Sequence, residues 1–220
     1  MADHRDEPVV VIGLGRFGSA LALELTERGT EVLAVDSRPK VVQALSGELT
    51  HVVAADCTDM EALRQLGVPD FTKAVVGIGT DIESSILATS LLVELEIEDI
   101  WAKAISRQHG RILDRIGAHH VVFPEHDMGE RVAHLVSGRM LDYVEVDPNH
   151  AIVKIKPPRD IVGVPLRESR VRSRYGLTVV SVKTTEGEYS YATPDTVLTY
   201  SDVILVLGRI NEVERFAASN

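Results

Sequence analysis

The sequence predicts a Rossmann-like, doubly wound parallel α/β sheet followed by a small α+β domain. Three observations lead there. Short apolar, β-branched runs alternate with helical stretches six times in about 130 residues, the pattern of a parallel sheet with right-handed crossovers. A glycine-rich loop, Gly13-Leu14-Gly15-Arg16-Phe17-Gly18, lies between the first such run and the first helical stretch. Near Asp147-Pro148-Asn149 the alternation gives way to strands that outnumber helices.

Residues 9–12, Val-Val-Val-Ile, read as a strand buried on both faces. Residues 19–28 follow as a helix whose apolar positions are Ala20, Leu21, Leu23 and Leu25, with Gly29 as its stop. Further strands are expected at 31–36, 52–55, 74–78, 100–104 and 120–123, and helices at 40–45, 59–66, 82–95, 107–116 and 128–140. Each strand–helix unit is about 20 residues, and eight of them would not fit before the pattern changes, so an open sheet is preferred to a closed barrel. Beyond it, alternating runs at 152–156, 177–182 and 203–207 are separated by the turn signals Pro157-Pro158, Glu186-Gly187-Glu188 and Pro194-Asp195, and a helix at 211–216 ends the chain. The expected domains are 1–140 and 141–220. The second is marginal by size alone, which favours packing on a second copy.

Among 220 residues, 23 basic side chains face 33 acidic ones, a formal charge of −10. That argues against nucleic acid, which needs a basic face, and against adhesion to anionic lipid through bulk charge. One cysteine excludes an intrachain disulfide and suits a reducing compartment. The richest apolar stretch, 86–97, is broken by Glu94 and Glu96, well short of a membrane span. Residues 1–7 carry more acid than base and lack the positive start of a signal peptide. A soluble, cytosolic protein is expected.

The glycine loop carries the chemistry. Gly13 permits a tight turn, Gly15 lets backbone approach a pyrophosphate, and Gly18 lets helix and strand pack closely. The helix start then offers N–H groups and partial positive charge to phosphates. Asp36 ends the second strand, where a carboxylate accepts ribose hydroxyls and repels a 2′-phosphate. Arg38 either softens that exclusion or is a solvated loop charge. Arg16, inside the loop, either swings over a terminal phosphate or snorkels at the helix start.

Nothing comparable marks a catalytic centre. The second domain has no histidine after His150 and no lysine after Lys183, so an acid–base residue for a dehydrogenase is not evident. His119, His120, His126 and His134 read as dispersed rather than as a zinc site, since strand neighbours face opposite ways. Cys57 reads as a small residue ending the third strand, its thiol pKa raised by Asp56 and Asp59. The expectation is a sensor, not an enzyme. The rival from another class is a small NAD(P)-dependent oxidoreductase.

The glycine loop, Ala-Val-Asp at 34–36, Ala-Ala-Asp-Cys-Thr-Asp at 54–59, Trp-Ala-Lys-Ala at 101–104, Pro-Glu-His-Asp-Met-Gly at 124–129 and Asp-Val-Ile-Leu-Val-Leu-Gly-Arg at 202–209 run in one order. Together they resemble the KtrA/TrkA-type regulatory subunits of bacterial potassium uptake systems, an RCK N-domain joined to an RCK C-domain. The resemblance implies a nucleotide site made by Gly13, Gly15, Arg16, Phe17 and Gly18 at the phosphates. Asp36, Ser37 and Arg38 would lie at the ribose, Asp56 and Cys57 beside the adenine, and Ile78, Gly79 and Lys103 along the crevice. The implied ligands are ATP and ADP, with NAD(H) as a further one. Glu125 would help hold a divalent cation or Na⁺ at the phosphates, or be an acid favoured by its helix N-terminus. The implied assembly is a homo-oligomeric, octameric ring beneath a membrane potassium channel or transporter, at the inner face of the cell membrane. Helix 128–140 would cross to a partner subunit, and ATP would oppose ADP or NADH in gating. A regulator of a cation/proton antiporter is the close alternative.

Residues 159–174 hold Arg159, Arg167, Arg170, Arg172 and Arg174 against Asp160 and Glu168, a local charge of +3. If extended, Arg170, Arg172 and Arg174 share a face; a helical turn spreads them. The resemblance implies a second ligand here, cyclic di-AMP, with Arg172 at a phosphate and Leu166 and Pro194 around a base. Arg167 and Thr178 depart from that pattern.

Overall fold

In a computed structural model of the chain, residues 7–185 and 187–219 are described. The stretch 1–6 and Glu186 of the expected Glu186-Gly187-Glu188 turn lie outside them. The chain divides into two compact units, one ending at Glu125 and the other beginning at His126.

The first unit alternates β1 (Val9–Ile12), α1 (Arg16–Glu27), β2 (Val32–Asp36), α2 (Pro39–Leu45), β3 (His51–Ala54), α3 (Met60–Gln65), β4 (Lys73–Val76), α4 (Ile82–Glu94), β5 (Asp99–Lys103), α5 (Arg107–Ile116) and β6 (His120–Val122). The six strands form one sheet in the order β3-β2-β1-β4-β5-β6, and every neighbouring pair is parallel. Val9 is in register with Val32 on one side and Lys73 on the other, so β1 sits centrally where the strand order reverses. All four residues of β1 and all five of β2 are buried, as their unbroken apolar runs require. Val10, Ile12 and Val35 pack with Leu63, Leu92, Ile100 and Leu113 on one face, whereas Val9, Val11 and Ala34 pack with Ala22, Leu45 and Val75 on the other. The second face is not fully covered. An apolar cleft of about 360 Å³ remains, lined by Phe17, Leu21, Leu25, Val75, Trp101 and Val122 among others.

The second unit follows a helix, α6 (Pro124–Val136), that spans the division. It contains β7 (Asp142–Asp147), β8 (His150–Ile155), α7 (Leu166–Ser169), α8 (Val171–Tyr175), β9 (Thr178–Lys183), β10 (Tyr189–Tyr191), β11 (Val203–Arg209) and α9 (Ile210–Ala217). Its five strands form an antiparallel sheet ordered β10-β9-β11-β8-β7. Ala151, Val153 and Ile155 alternate inward along β8 to meet Ile204, Val206, Val213 and Phe216 in a separate core.

Three local expectations are corrected. Helix α1 begins at Arg16, not residue 19, because Gly15 already serves as its N-cap. Helix α6 begins at Pro124 and stops at Val136, short of Met140, where Gly138 turns the chain at φ +73°. Strand β7 was not anticipated: only Tyr143 of its six residues is buried, and Val144 and Val146 face outward among acids. Among the described residues no helix is long and apolar enough to cross a membrane.

Candidate functional site

The carboxyl ends of β1, β2, β4 and β5 surround a crevice at the strand-order reversal, where ligands of open α/β sheets bind. The glycine loop shapes its floor. Gly13 has φ +88°, and its amide donates to the Val35 carbonyl at 2.8 Å, tying the loop to β2. A Cβ there would stand 2.6 Å from Ile78 Cγ1. A Cβ on Gly18 would stand 2.0 Å from the Gly13 carbonyl oxygen, so α1 can lie this close to the loop only without a side chain. Gly15 is different: nothing lies within 4 Å of a Cβ built on it. Of the three glycines, only Gly15 has open space where a side chain would stand. Helix α1 has no acidic residue in its first turn, so its N-terminal field is uncompensated locally.

Asp36 is 4% exposed and saturated. Its Oδ2 accepts the Leu14 amide at 2.7 Å and Arg38 Nη2 at 2.9 Å, while Oδ1 accepts the Arg38 amide at 2.9 Å and Arg38 Nε at 2.8 Å. Burial is the largest single influence on the carboxyl and pushes its pKa up, but the Arg38 fork and the two backbone amides together outweigh it and hold it low. Arg38 is exposed but not independent of Asp36: its fork is committed to the carboxylate. Ser37 lies exposed between them.

Across the crevice, buried Lys103 ends β5 and donates from Nζ to Glu125 Oε1 at 2.6 Å. The same ammonium lies 5.9 Å from the centre of the Phe17 ring. That hydrogen bond holds the Glu125 carboxyl below its ordinary range against the opposing effect of burial, with Arg16 adding a smaller electrostatic share. A Cβ on Gly79 would come within 3.0 Å of Lys103 Nζ, so the lysine lies along the backbone that follows β4. Arg16, at the first position of α1, is exposed.

Asp56 and Cys57 follow β3. Asp56 Oδ1 accepts the Thr58 amide at 2.9 Å and its hydroxyl at 2.7 Å, an exposed turn. Cys57 is buried, and burial first, then the charges of Asp56, Asp36 and Asp81, push its thiol up to about 11. Asp59 caps α3 instead, accepting the Glu61 amide. The thiol is thus protonated at neutral pH. Alkylation by iodoacetamide at pH 8 is expected to run at least about a hundredfold slower on the folded protein than in urea. Comparable rates in both would mean that the side chain is accessible.

The histidines are held separately. His119 Nδ1 accepts the Ile100 amide at 3.0 Å, His120 stacks on Trp101 and His134 stacks on Tyr143. His126 lies 3.7 Å from both Asp127 and Glu130. Among the described residues no group of three or more His, Cys, Asp or Glu could hold a metal ion. Glu125 accordingly offers one carboxylate, not a complete cation site.

In the second unit, Leu166, Arg167, Arg170, Arg172, Thr178 and Pro194 line part of a cavity of about 570 Å³. Arg170 adopts φ +54° and precedes helix α8, so Arg170, Arg172 and Arg174 are not aligned as an extended stretch would place them. Arg174 turns to Asp160 at 2.8 Å. Arg167 pairs with Asp195, and Arg172 Nη2 reaches Thr178 Oγ1 at 3.3 Å, so both departures from the expected pattern form contacts of their own at this cavity.

Comparison with known proteins bears on both units. The TrkA-N domain model matches residues 9–124, and the TrkA-C domain model matches residues 150–219. The chain is 37% identical to Ktr system potassium uptake protein C of Bacillus subtilis over 94% of both chains. It is 34% identical to protein A of that system in B. subtilis, over 98% of both chains. Protein A of Vibrio alginolyticus is also 34% identical, over 92% of this chain and 93% of that one. The GsuK RCK domain shares the fold, with a TM-score of 0.65 at 20% identity, over 97% of this chain and 47% of the GsuK chain. GsuK bound to ADP matches at a TM-score of 0.53 and 26% identity, over 63% of this chain and 36% of its own.

Proposed function

The chain belongs to the family that joins a TrkA-N domain to a TrkA-C domain, and from that premise we propose that it is a nucleotide-sensing regulatory subunit of a membrane potassium uptake system. The observation that carries the reading is the crevice itself: a glycine loop with an open Gly15, an exposed Arg16 at the start of α1, a buried Lys103 paired with Glu125, and a buried carboxylate at the end of β2. That set suits a polyphosphate attached to a nucleoside. Three near-full-length relatives named for potassium uptake supply the transport context. ATP, ADP and NAD(H) are the proposed ligands, with Gly13, Gly15, Phe17 and Gly18 at the phosphates and Ile78 and Gly79 along the wall. Asp36 with Ser37 and Arg38 would mark the ribose end, and Asp56 and Cys57 the adenine side. A divalent cation or Na⁺ would take Glu125 in exchange for Lys103 and draw its remaining ligands from phosphate oxygens.

Regulation requires differential affinity. ATP must bind the conducting arrangement of the assembly more tightly than the closed one, and ADP or NADH must do the reverse. The uncovered apolar cleft on the first unit's sheet, flanked by exposed Trp101, suits contact with another copy, in keeping with a homo-oligomeric, octameric ring on the cytoplasmic side of its membrane partner. The domain limits proposed are 1–140 and 141–220. For the second unit the proposed ligand is the one the family resemblance implies, cyclic di-AMP, and the arginines lining its cavity support an anion there.

Thermal stabilisation by ATP, ADP and NADH, with a parallel assay for hydride transfer, tests the reading. Stabilisation by adenine nucleotides without turnover is expected; hydride transfer, or no stabilisation by any of the three, would sink it. Arg16→Ala should weaken ATP about tenfold while changing ADP less than about threefold, because only ATP places a third phosphate within its reach. Equal losses for both nucleotides would remove Arg16 from the terminal phosphate.

A further inference from the structure

We infer that Arg38 sets the ribose specificity of the crevice, and that with its guanidinium in place the site accepts an adenine nucleotide carrying a 2′-phosphate. This rests on the reading of the crevice as a nucleotide site and goes beyond it in naming the chemical form of the ribose.

An ionised carboxylate offers about four lone-pair positions. Asp36 has all four filled: by the Leu14 amide, the Arg38 amide, Arg38 Nε and Arg38 Nη2. The ribose of an ordinary adenine nucleotide approaches through two hydroxyls that must donate. At Asp36 they find no acceptor left. The backbone amides cannot withdraw, because one belongs to the glycine loop and the other to the residue that caps α2. Only the guanidinium can leave, and to do so it must give up two charge-assisted bonds in a fork geometry.

The outward side of the pair has the opposite character. A guanidinium has five N–H donors, and the fork on Asp36 uses two of them. The remaining donors sit on a side chain that is 59% exposed, and its chain neighbour Ser37 is exposed as well. Charge follows the same logic. A bare carboxylate would repel a 2′-phosphate, but Asp36 and Arg38 together are neutral, and the cation is the outer partner. Because the carboxylate is 4% exposed and pinned by two amides, the fork is held in a fixed place instead of wandering like an ordinary surface ion pair. A phosphate ester on the 2′ oxygen is the group that this face complements.

Isothermal titration of the full chain with ADP and with its 2′-phosphate derivative separates the possibilities. The wild type should bind the 2′-phosphate derivative at least as tightly as ADP. Arg38→Ala should weaken the derivative about tenfold or more while ADP is unchanged or tightens about two- to threefold. Arg38→Lys, which keeps the cation but not the fork, guards against misfolding and should fall between the two. A wild type preferring ADP about tenfold, or an Arg38→Ala loss equal for both ligands, overturns the inference while leaving a nucleotide site intact. If neither ligand binds any variant, the nucleotide reading and this inference fall together.

Discussion

Gly18→Ala should destabilise the first unit by about 3 kcal/mol or more, whereas Gly15→Ala should lower its melting temperature by only a few degrees and abolish stabilisation by nucleotide. The two glycines lie three residues apart in one loop and meet opposite surroundings. A methyl on Gly18 would stand 2.0 Å from the Gly13 carbonyl oxygen and 3.1 Å from the carbonyl carbon. Both are backbone atoms, so relief requires moving α1 away from the loop or the loop away from β2. Gly18 is helical, where alanine normally gains about 1 kcal/mol over glycine, and the steric term has to exceed that gain. It does, because the loop is fixed twice: the Gly13 amide holds the Val35 carbonyl at 2.8 Å, and the Gly77 amide holds the Ile12 carbonyl at 2.7 Å. At Gly15 the backbone has φ −73°, which alanine adopts freely, and no atom lies within 4 Å of the added carbon. The cost there is the loss of a good N-cap residue, about 1 kcal/mol or less. On the proposed reading of the crevice, the added methyl instead occupies the space a pyrophosphate would take. Thermal melts of both variants with and without ATP decide the matter: a Gly18→Ala protein as stable as wild type, or a Gly15→Ala protein still stabilised by ATP, contradicts the assignment of roles.

This contrast also shows what a sequence can and cannot reveal here. The glycine spacing and the apolar run at 9–12 were legible because backbone sterics and burial on both faces restrict residue type directly. That the six strands run parallel followed from alternation with helices, since short crossovers leave few topologies. Strand β7 was hidden because its outward valines, Val144 and Val146, are interleaved with acids and only Tyr143 is buried. The residues of the crevice were nameable, but their pairings were not. The bond from Lys103 to Glu125 joins positions 22 apart, and its existence depends on where β5 and the start of α6 end up in space. Arg38 was readable as an arginine near Asp36, with no local signal that its fork would occupy both carboxylate oxygens. Likewise the left-handed turn at Arg170, a non-glycine position, gave no sign of itself and decides that three neighbouring arginines diverge.

Phe216→Ala should remove about 3–5 kcal/mol from the second unit and leave the nucleotide response of the first unit in place. Phe216 is fully buried on α9 and meets Tyr175 edge-on, with ring centroids 4.9 Å apart. It belongs to the cluster of Val153, Ile155, Leu177, Val206 and Val213, which shares no member with the two clusters that flank the parallel sheet. A domain of this size has a total stability of about 5–15 kcal/mol, so the loss consumes a large fraction of it. At about 4–8 °C per kcal/mol, the unfolding midpoint of that unit should fall by on the order of 20 °C. Because the cores are distinct, the variant should unfold in two steps, the early one insensitive to ATP and the later one raised by it. Calorimetry of the variant with and without ATP reads both steps. If instead a single transition moved down as a whole, the two units would be one cooperative body and destabilising the second would disable sensing in the first. Separate transitions mean that the crevice can report nucleotide occupancy from a unit whose stability does not depend on its neighbour's core.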